Sequence, residues 1–306
     1  MEIIPNKFKK VADFCFELFR IAKLPLYFSK FSNRMYSVFQ KIFMLVYKQF
    51  RKFTYEELMT DVADNQSLRV YLGLNKLMEY TTLIKFKEML PQAVLDRLVL
   101  AFKELMPAPK KVAIDSTGIS LDNASPHYCK RLGRSFKKRP FMKTTFIVDI
   151  EMFTILLCKG RKGHRHDSKE AKPMVRKLAE EYGAEEFFAD RGYDDNELFK
   201  LVVEKLGAFP FIYQKNQSVP KRRKHGTYRK MTCDTFDYVQ YLQRNKIETV
   251  NSMFKKRFSS KIRSRRAKFQ RIELFLRVVA FNIDRLIRTG HNCIVLLLIK
   301  IRRVSY

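Results

Sequence analysis

Apolar positions along the chain fall into two textures. Up to about residue 106 they recur at mixed helical spacings among Lys and Arg: Phe14, Phe16, Leu18 and Phe19, then Phe39, Phe43, Leu45 and Val46. That spacing predicts amphipathic helices. Thr54 and Glu57 read as a Thr-x-x-Glu capping box that opens another helix, and a further helical segment runs from about Pro91 to Met106. A helix-turn-helix fits within 54–90, although the sequence does not place its recognition helix. Pro107 and Pro109 close the region and mark a domain boundary.

Beyond Lys111 the pattern changes to short apolar runs separated by turn residues. Val112 to Ile114 predicts a strand ending in Asp115-Ser-Thr-Gly118. Thr144 to Ile150 and Phe153 to Cys158 predict a pair of strands around a tight connection. Ser168 to Tyr182 predicts a helix with Ser168 as its N-cap and Gly183 just past its end. Glu186 to Ala189 predicts a strand ending at Asp190, followed by a helix from about Asp194 to Leu206 and a strand from Ala208 to Tyr213. Lys221 to Lys230 reads as a basic loop or hairpin, and Ile272 to Ile287 as a second apolar helix near the C-terminus. The order β-β-β-α-β-α-β-α implies a mixed sheet covered by helices, an α/β domain.

Charge narrows the partners. The chain carries 61 Lys and Arg against 31 Asp and Glu, a formal charge of +30. Such an imbalance is relieved by a polyanion, with nucleic acid ahead of an anionic membrane surface. The longest apolar stretch, Ile294 to Ile299, is far too short to span a bilayer. Five scattered cysteines, none spaced as Cys-x-x-Cys, point to reduced thiols in a cytoplasmic protein and against a zinc ribbon or disulfide framework.

The chemistry-bearing pattern lies in three carboxylates. Asp115 and Asp190 each end a predicted strand and precede a turn containing Gly, and strand C-termini are where ligands collect in α/β sheets. Further on, Tyr241, Arg244, Glu248 and Lys255 sit at offsets 0, 3, 7 and 14. On a single helix those positions fall within roughly 60° of one another, with Ile247, Val250, Phe254 and Phe258 filling the other side. Singly each acid is ordinary: a strand-terminal Asp is commonly a turn former, and Glu248 an ion-pair partner of Arg244. If the two Asp-bearing strands are neighbours, Glu248 can reach both aspartates. Such a trio suits Mg²⁺ or Mn²⁺, and two such ions about 4 Å apart serve phosphodiester chemistry.

The run Tyr241-x2-Arg244-x3-Glu248-x6-Lys255 resembles the signature around the catalytic glutamate of prokaryotic DDE-type insertion-sequence transposases. The strings AIDSTG around Asp115 and FFADRGYDD around Asp190 resemble that family's two aspartate motifs. The separations of 75 and 58 residues suit it as well. The resemblance implies a ribonuclease-H-like catalytic domain over 110–290 behind a helical DNA-binding region over 1–106, with 291–306 as an extension. It also implies that Asp115, Asp190 and Glu248 hold two Mg²⁺ (or Mn²⁺) ions. Water and then a liberated 3′-hydroxyl would attack phosphodiesters at the terminal inverted repeats and the target DNA. Arg244 and Lys255 would contact the DNA backbone or a flipped base, and Tyr241 would stack or bond a phosphate. A homodimer on double-stranded DNA follows from the need to join two ends, and nucleoid association from the prokaryotic setting. The 58-residue gap leaves little room for the large β insertion that some relatives carry.

Between Lys255 and Arg271 nine of 17 positions are basic and none is acidic. This adds Lys256, Arg257, Arg263, Arg265 and Arg266 as phosphate contacts. Lys137, Lys138 and Arg139, after Gly133-Arg134, form a second basic cluster. His164 and His166 make an His-x-His with no third ligand nearby, which argues against zinc; the resemblance places His166 near the active site, ahead of the Ser168 cap. Two alternatives stay open: a ribonuclease-H-like nuclease that cuts without joining, and a DNA-binding or catalytically degenerate element copy.

Overall fold

The computed structural model describes residues 7–121, 130–131, 133, 141–163, 166–215 and 218–289. The cluster at Arg134 and 137–139, His164, and the segment 291–306 lie outside them. Two compact units emerge: one contains the described residues up to Leu105 together with those from Arg266 onward, the other Met106–Arg265.

The first unit is helical throughout: α1 (Lys7–Ile21), α2 (Val38–Arg51), α3 (Tyr55–Asp64), α4 (Gln66–Tyr71), α5 (Tyr80–Met89), α6 (Gln92–Leu100) and a 3-10 turn at Ala101–Glu104. Thr54 and Glu57 form the expected capping box, the Glu57 amide donating to the Thr54 hydroxyl at 3.2 Å and the Thr54 amide to the Glu57 carboxylate at 2.6 Å. A second box, with glutamine as the reciprocal partner, caps α2: Gln40 N–H donates to Ser37 Oγ at 3.1 Å and Ser37 N–H to Gln40 Oε1 at 2.8 Å. Three short helices occupy the interval in which a helix-turn-helix was expected.

The helix at the end of the described chain, Ala267–Arg288, also belongs to this unit and packs on α2 and α6. The division at 106 and 290 read from the sequence groups it instead with the sheet. Its residues from Ile272 to Ile283 are all buried, which a helix achieves only with neighbours on every side; α1, α2, α5 and α6 supply them.

The second unit is built on a five-stranded sheet in the order β3-β2-β1-β4-β5. Its strands are β1 (Lys111–Ser120), β2 (Phe141–Asp149), β3 (Thr154–Lys162), β4 (Glu186–Ala189) and β5 (Phe209–Ile212). The first three form an antiparallel meander, while β4 and β5 run parallel to β1. This is the mixed sheet that the order of predicted elements implied. Between the strands lie α7 (Asp167–Glu181) and α8 (Asn196–Leu201), the latter continuing as a π-helical turn at Val202–Leu206. After β5 come α9 (Thr227–Asp234), α10 (Tyr238–Tyr241), a 3-10 turn at Leu242–Arg244 and α11 (Asn245–Phe258); the helix ending the chain is α12 (Ala267–Arg288).

Several expectations need correction. The strand carrying Asp115 does not end there: Ser116 to Ser120 continue paired to β2, and only the parallel partner stops, at Ala189 opposite Ile114. Ser168 lies inside α7, whose N-cap is His166 without a side-chain capping bond. Lys221–Lys230 is no hairpin, for a 3-10 turn at Lys221–Arg223 leads into α9.

Candidate active site

Strand alternation sends successive residues of β1 to opposite faces of the sheet. Asp115 faces α11, where Asn251 Nδ2 donates to its Oδ2 at 2.8 Å. The same face holds Phe146, the cross-strand partner of Asp115, whose ring packs edge-on against Phe254 of α11 at 5.2 Å. Apolar packing thus seats the helix that carries Glu248 over the strand that carries Asp115. Ser116 faces the other way, its hydroxyl 2.9 Å from Thr145 Oγ1 and 3.0 Å from the buried Tyr193 hydroxyl.

That hydroxyl link ties β1 to the turn holding Asp190. The three aspartates of Asp190-Arg-Gly-Tyr-Asp-Asp have separate tasks. Asp194 is buried in an ion pair with Arg229 at 2.5 Å. Asp195 caps α8, accepting from Glu197 and Leu198 amides at 3.0 and 3.2 Å. Asp190, directly after β4, accepts from Gly192 N–H at 2.8 Å, so the turn-forming role is real and orients this carboxylate. Glycine at 192 leaves room for this carboxylate: a Cβ there would sit 3.0 Å from Asp190 Oδ1, a tight contact, and 3.5 Å from Asp167 Oδ2, an ordinary one. Asp167, beside the exposed His166, is itself paired with Lys143 of β2 at 2.6 Å. Neither partner was foreseen, since their link spans two strands and a helix start.

The motif helix is less regular than the spacing implied. Tyr241 ends α10 and Arg244 closes a 3-10 turn, so α11 begins only at Asn245. A 3-10 turn advances about 20° more per residue than an α-helix, which still leaves the four residues facing one way. Arg244 Nη2 donates to Glu248 Oε1 at 2.8 Å and to Asn245 Oδ1 at 3.3 Å. Tyr241 packs among Tyr213, Phe236 and Tyr238, with ring centroids 5.5 to 5.9 Å away. Lys255 is half-buried and Lys256 exposed on α11. Arg257 also lies on α11; Arg263 and Arg265 lie on the irregular segment beyond it. In that segment Ser120 N–H donates to the Ser260 carbonyl at 2.8 Å and Ile262 N–H to the Ser120 carbonyl at 2.9 Å. Arg266 lies in the helical unit, where Glu88 binds it at 2.6 Å. The acid missing from the linear stretch is therefore supplied to this residue by the fold.

Electrostatics draw the three carboxylates into one neighbourhood. Burial, first, pushes the Asp115 carboxyl up to about 6, the negative charges of Asp190 and Glu248 add to the rise, and the Ser116 amide and Arg244 oppose it. The trio is not a closed cage: among the described residues no group of three or more His, Cys, Asp or Glu is arranged to hold a metal ion. Glu248 remains largely exposed and turned to Arg244. The donors nevertheless suit a hard cation, being carboxylate oxygens whose charge is costly where it stands. Asn251 Oδ1 is buried and takes no hydrogen bond within the protein.

A model of the transposase DDE domain matches residues 107–283, more than half of the chain. The chain belongs to the DDE transposases. This transposase is thus a member of a family of DNA-cleaving and DNA-transferring enzymes. No curated protein sequence matches it. Among solved structures, a piggyBac transposase synaptic complex with hairpin DNA is similar at 9% identity, covering 92% of this chain and 74% of that one with a TM-score of 0.43. Among the described residues of the transposase no helix is long and apolar enough to cross a membrane.

Proposed function

We propose that the chain catalyses cleavage and strand transfer of DNA phosphodiesters at the ends of an insertion sequence, with Asp115, Asp190 and Glu248 as the catalytic carboxylates. The observation that carries this reading is the parallel pairing of Ile114 with Ala189, which brings the residues that follow them, Asp115 on β1 and Asp190 just past β4, side by side, with the helix of Glu248 packed over the strand of Asp115. The three would hold two Mg²⁺ or Mn²⁺ ions, which when bound activate the attacking oxygen and neutralise the leaving one. Asn251 fixes one oxygen of Asp115, and the Gly192 amide fixes one of Asp190. Arg244 holds Glu248 in reserve.

Around this centre, Tyr241, Arg244, Lys255, Lys256, Arg257, Arg263 and Arg265 are assigned to DNA contact, supported by a surplus of 30 positive charges. Arg266, in the helical unit, is assigned to DNA contact as well, and His166 to a place near the carboxylates. The substrates would be terminal inverted repeats and target DNA, with two copies of the chain engaging two ends in the cytoplasm, on the nucleoid.

The test is strand cleavage of labelled DNA from the gene's own flanks, with Mg²⁺, by the wild type and Glu248→Gln. Metal-dependent 3′-hydroxyl ends at the element boundary, at least about a thousandfold slower in the variant, are expected. Cleavage without joining points to a nuclease, and binding without cleavage in either metal overturns the catalytic assignment.

A further inference from the structure

The segment between α1 and α2 is an irregular loop, yet it is closed and braced. Val38 N–H donates to the Leu26 carbonyl at 2.8 Å, joining its two ends. Inside it, Tyr27 OH donates to the Arg34 carbonyl at 3.3 Å, and Ser29, Ser32 and Asn33 side chains accept from the amides of Phe31, Arg34 and Met35. Two anchors fix it to its own unit: Phe28 stacks on Phe86 at 5.7 Å, and Tyr36 OH donates to the Leu77 carbonyl at 2.8 Å. Compact loops of this kind are frequently functional.

What the loop displays is unusual for an unpartnered surface. Phe31 is 86% exposed, Leu26 60% and Met35 52%. The Lys30 ammonium lies 5.1 Å from the Phe31 ring centroid, and Arg34 is exposed beside them. From Leu18 to Tyr55 the chain has eight Lys and Arg and no acid. An isologous contact with a second copy would set these cations against their own images. Duplex DNA suits both halves of the surface, because phosphates meet the cations while an apolar wedge enters between base steps.

We infer that the Leu26–Met35 loop is a duplex-DNA contact in which Phe31 acts as an apolar wedge, flanked by Lys30 and Arg34 on the phosphates. This rests on the transposase reading, which implies DNA contact somewhere within 1–106, and goes beyond it by naming the loop and the wedge.

The chain contains no tryptophan, so Phe31→Trp in the full-length protein gives a single reporter. Titration with a 30-base-pair duplex is expected to quench its emission at the stoichiometry seen by gel mobility. Phe31→Ala should weaken duplex binding about tenfold with the salt slope unchanged. Lys30→Ala with Arg34→Ala should lower that slope by about 1 to 2. Because Phe31 lies outside the core, thermal unfolding of both Phe31 variants should match the wild type. Emission unchanged at saturating duplex overturns the inference, as does emission that responds only to protein concentration or to anionic phosphatidylserine vesicles. If the wild type itself fails to bind any duplex, the broader reading falls too; if it binds while the introduced indole stays silent, only the loop assignment falls.

Discussion

Asp115→Asn is expected to abolish strand cleavage, leave DNA binding intact, and make the metal-free protein more stable. The first effect follows from the metal-binding role proposed for Asp115, whose loss removes several kcal/mol of transition-state stabilisation, at least about a thousandfold in rate. The second follows because Asp115 donates nothing to a phosphate. The third is a matter of sign. The folded carboxyl titrates at about 6 against an ordinary 3.8, so the fold penalises the charged form. That penalty is absent below pH 3.8, grows as pH rises through this window, and is complete above about 6. Asparagine still accepts from Asn251 but carries no charge. In the presence of a chelator at pH 8 the variant should therefore be more stable by on the order of 2 to 3 kcal/mol, with the gap closing toward pH 4. Added Mg²⁺ should raise the unfolding midpoint of the wild type and not of the variant. A variant less stable than wild type at pH 8 without divalent ions would sink the electrostatic account.

Glu273→Gln is expected to be among the most destabilising single changes in the chain. Glu273 and Arg277 pair at 2.6 Å on α12 with side chains only 4% and 2% exposed. Lys87 of α5 is buried nearby; burial lowers its ammonium, the Glu273 charge offsets this, and Arg277 adds to the lowering. Tyr55 is pushed up to about 12 by burial and then by the same carboxylate. Removing that charge leaves buried cations without its compensation, a loss of about 3 to 5 kcal/mol. The guanidinium unfolding midpoint measures it, and Glu273→Gln with Arg277→Met should recover part of the loss. A shift equivalent to less than about 1 kcal/mol would mean the pair is effectively solvated.

The succession of strands along the chain was legible because each is a short apolar run punctuated by turns, and Glu186–Ala189 matches the observed β4 residue for residue. The adjacency of Asp115 and Asp190 was legible only as a condition, since pairing of distant strands leaves no local trace. Where the reading failed, non-local partners decided. Ser116 to Ser120 look like a turn until β2 pairs with them. Arg266 looks unopposed until Glu88 arrives from 178 residues away. Asn251 was hidden for a different reason: its neighbours on α11 read as core, and a single asparagine among them has no periodic signature. The helical unit's use of α12 was invisible because a fully buried helix shows the same apolar pattern whichever unit surrounds it.

The position of α12 has a practical consequence for dissecting the protein. A fragment cut to the family boundaries, 107–283, would carry most of that helix while leaving behind α2 and α6, its packing partners. Val278, Val279, Phe281 and Ile283, all buried in the whole chain, would meet water as one continuous apolar rod, a recipe for aggregation. A cut after Arg265, where the sheet unit ends, spares the fragment that burden. The sheet unit is in this sense an insert, spliced into a helical body whose own core draws on helices that precede and follow it in the sequence.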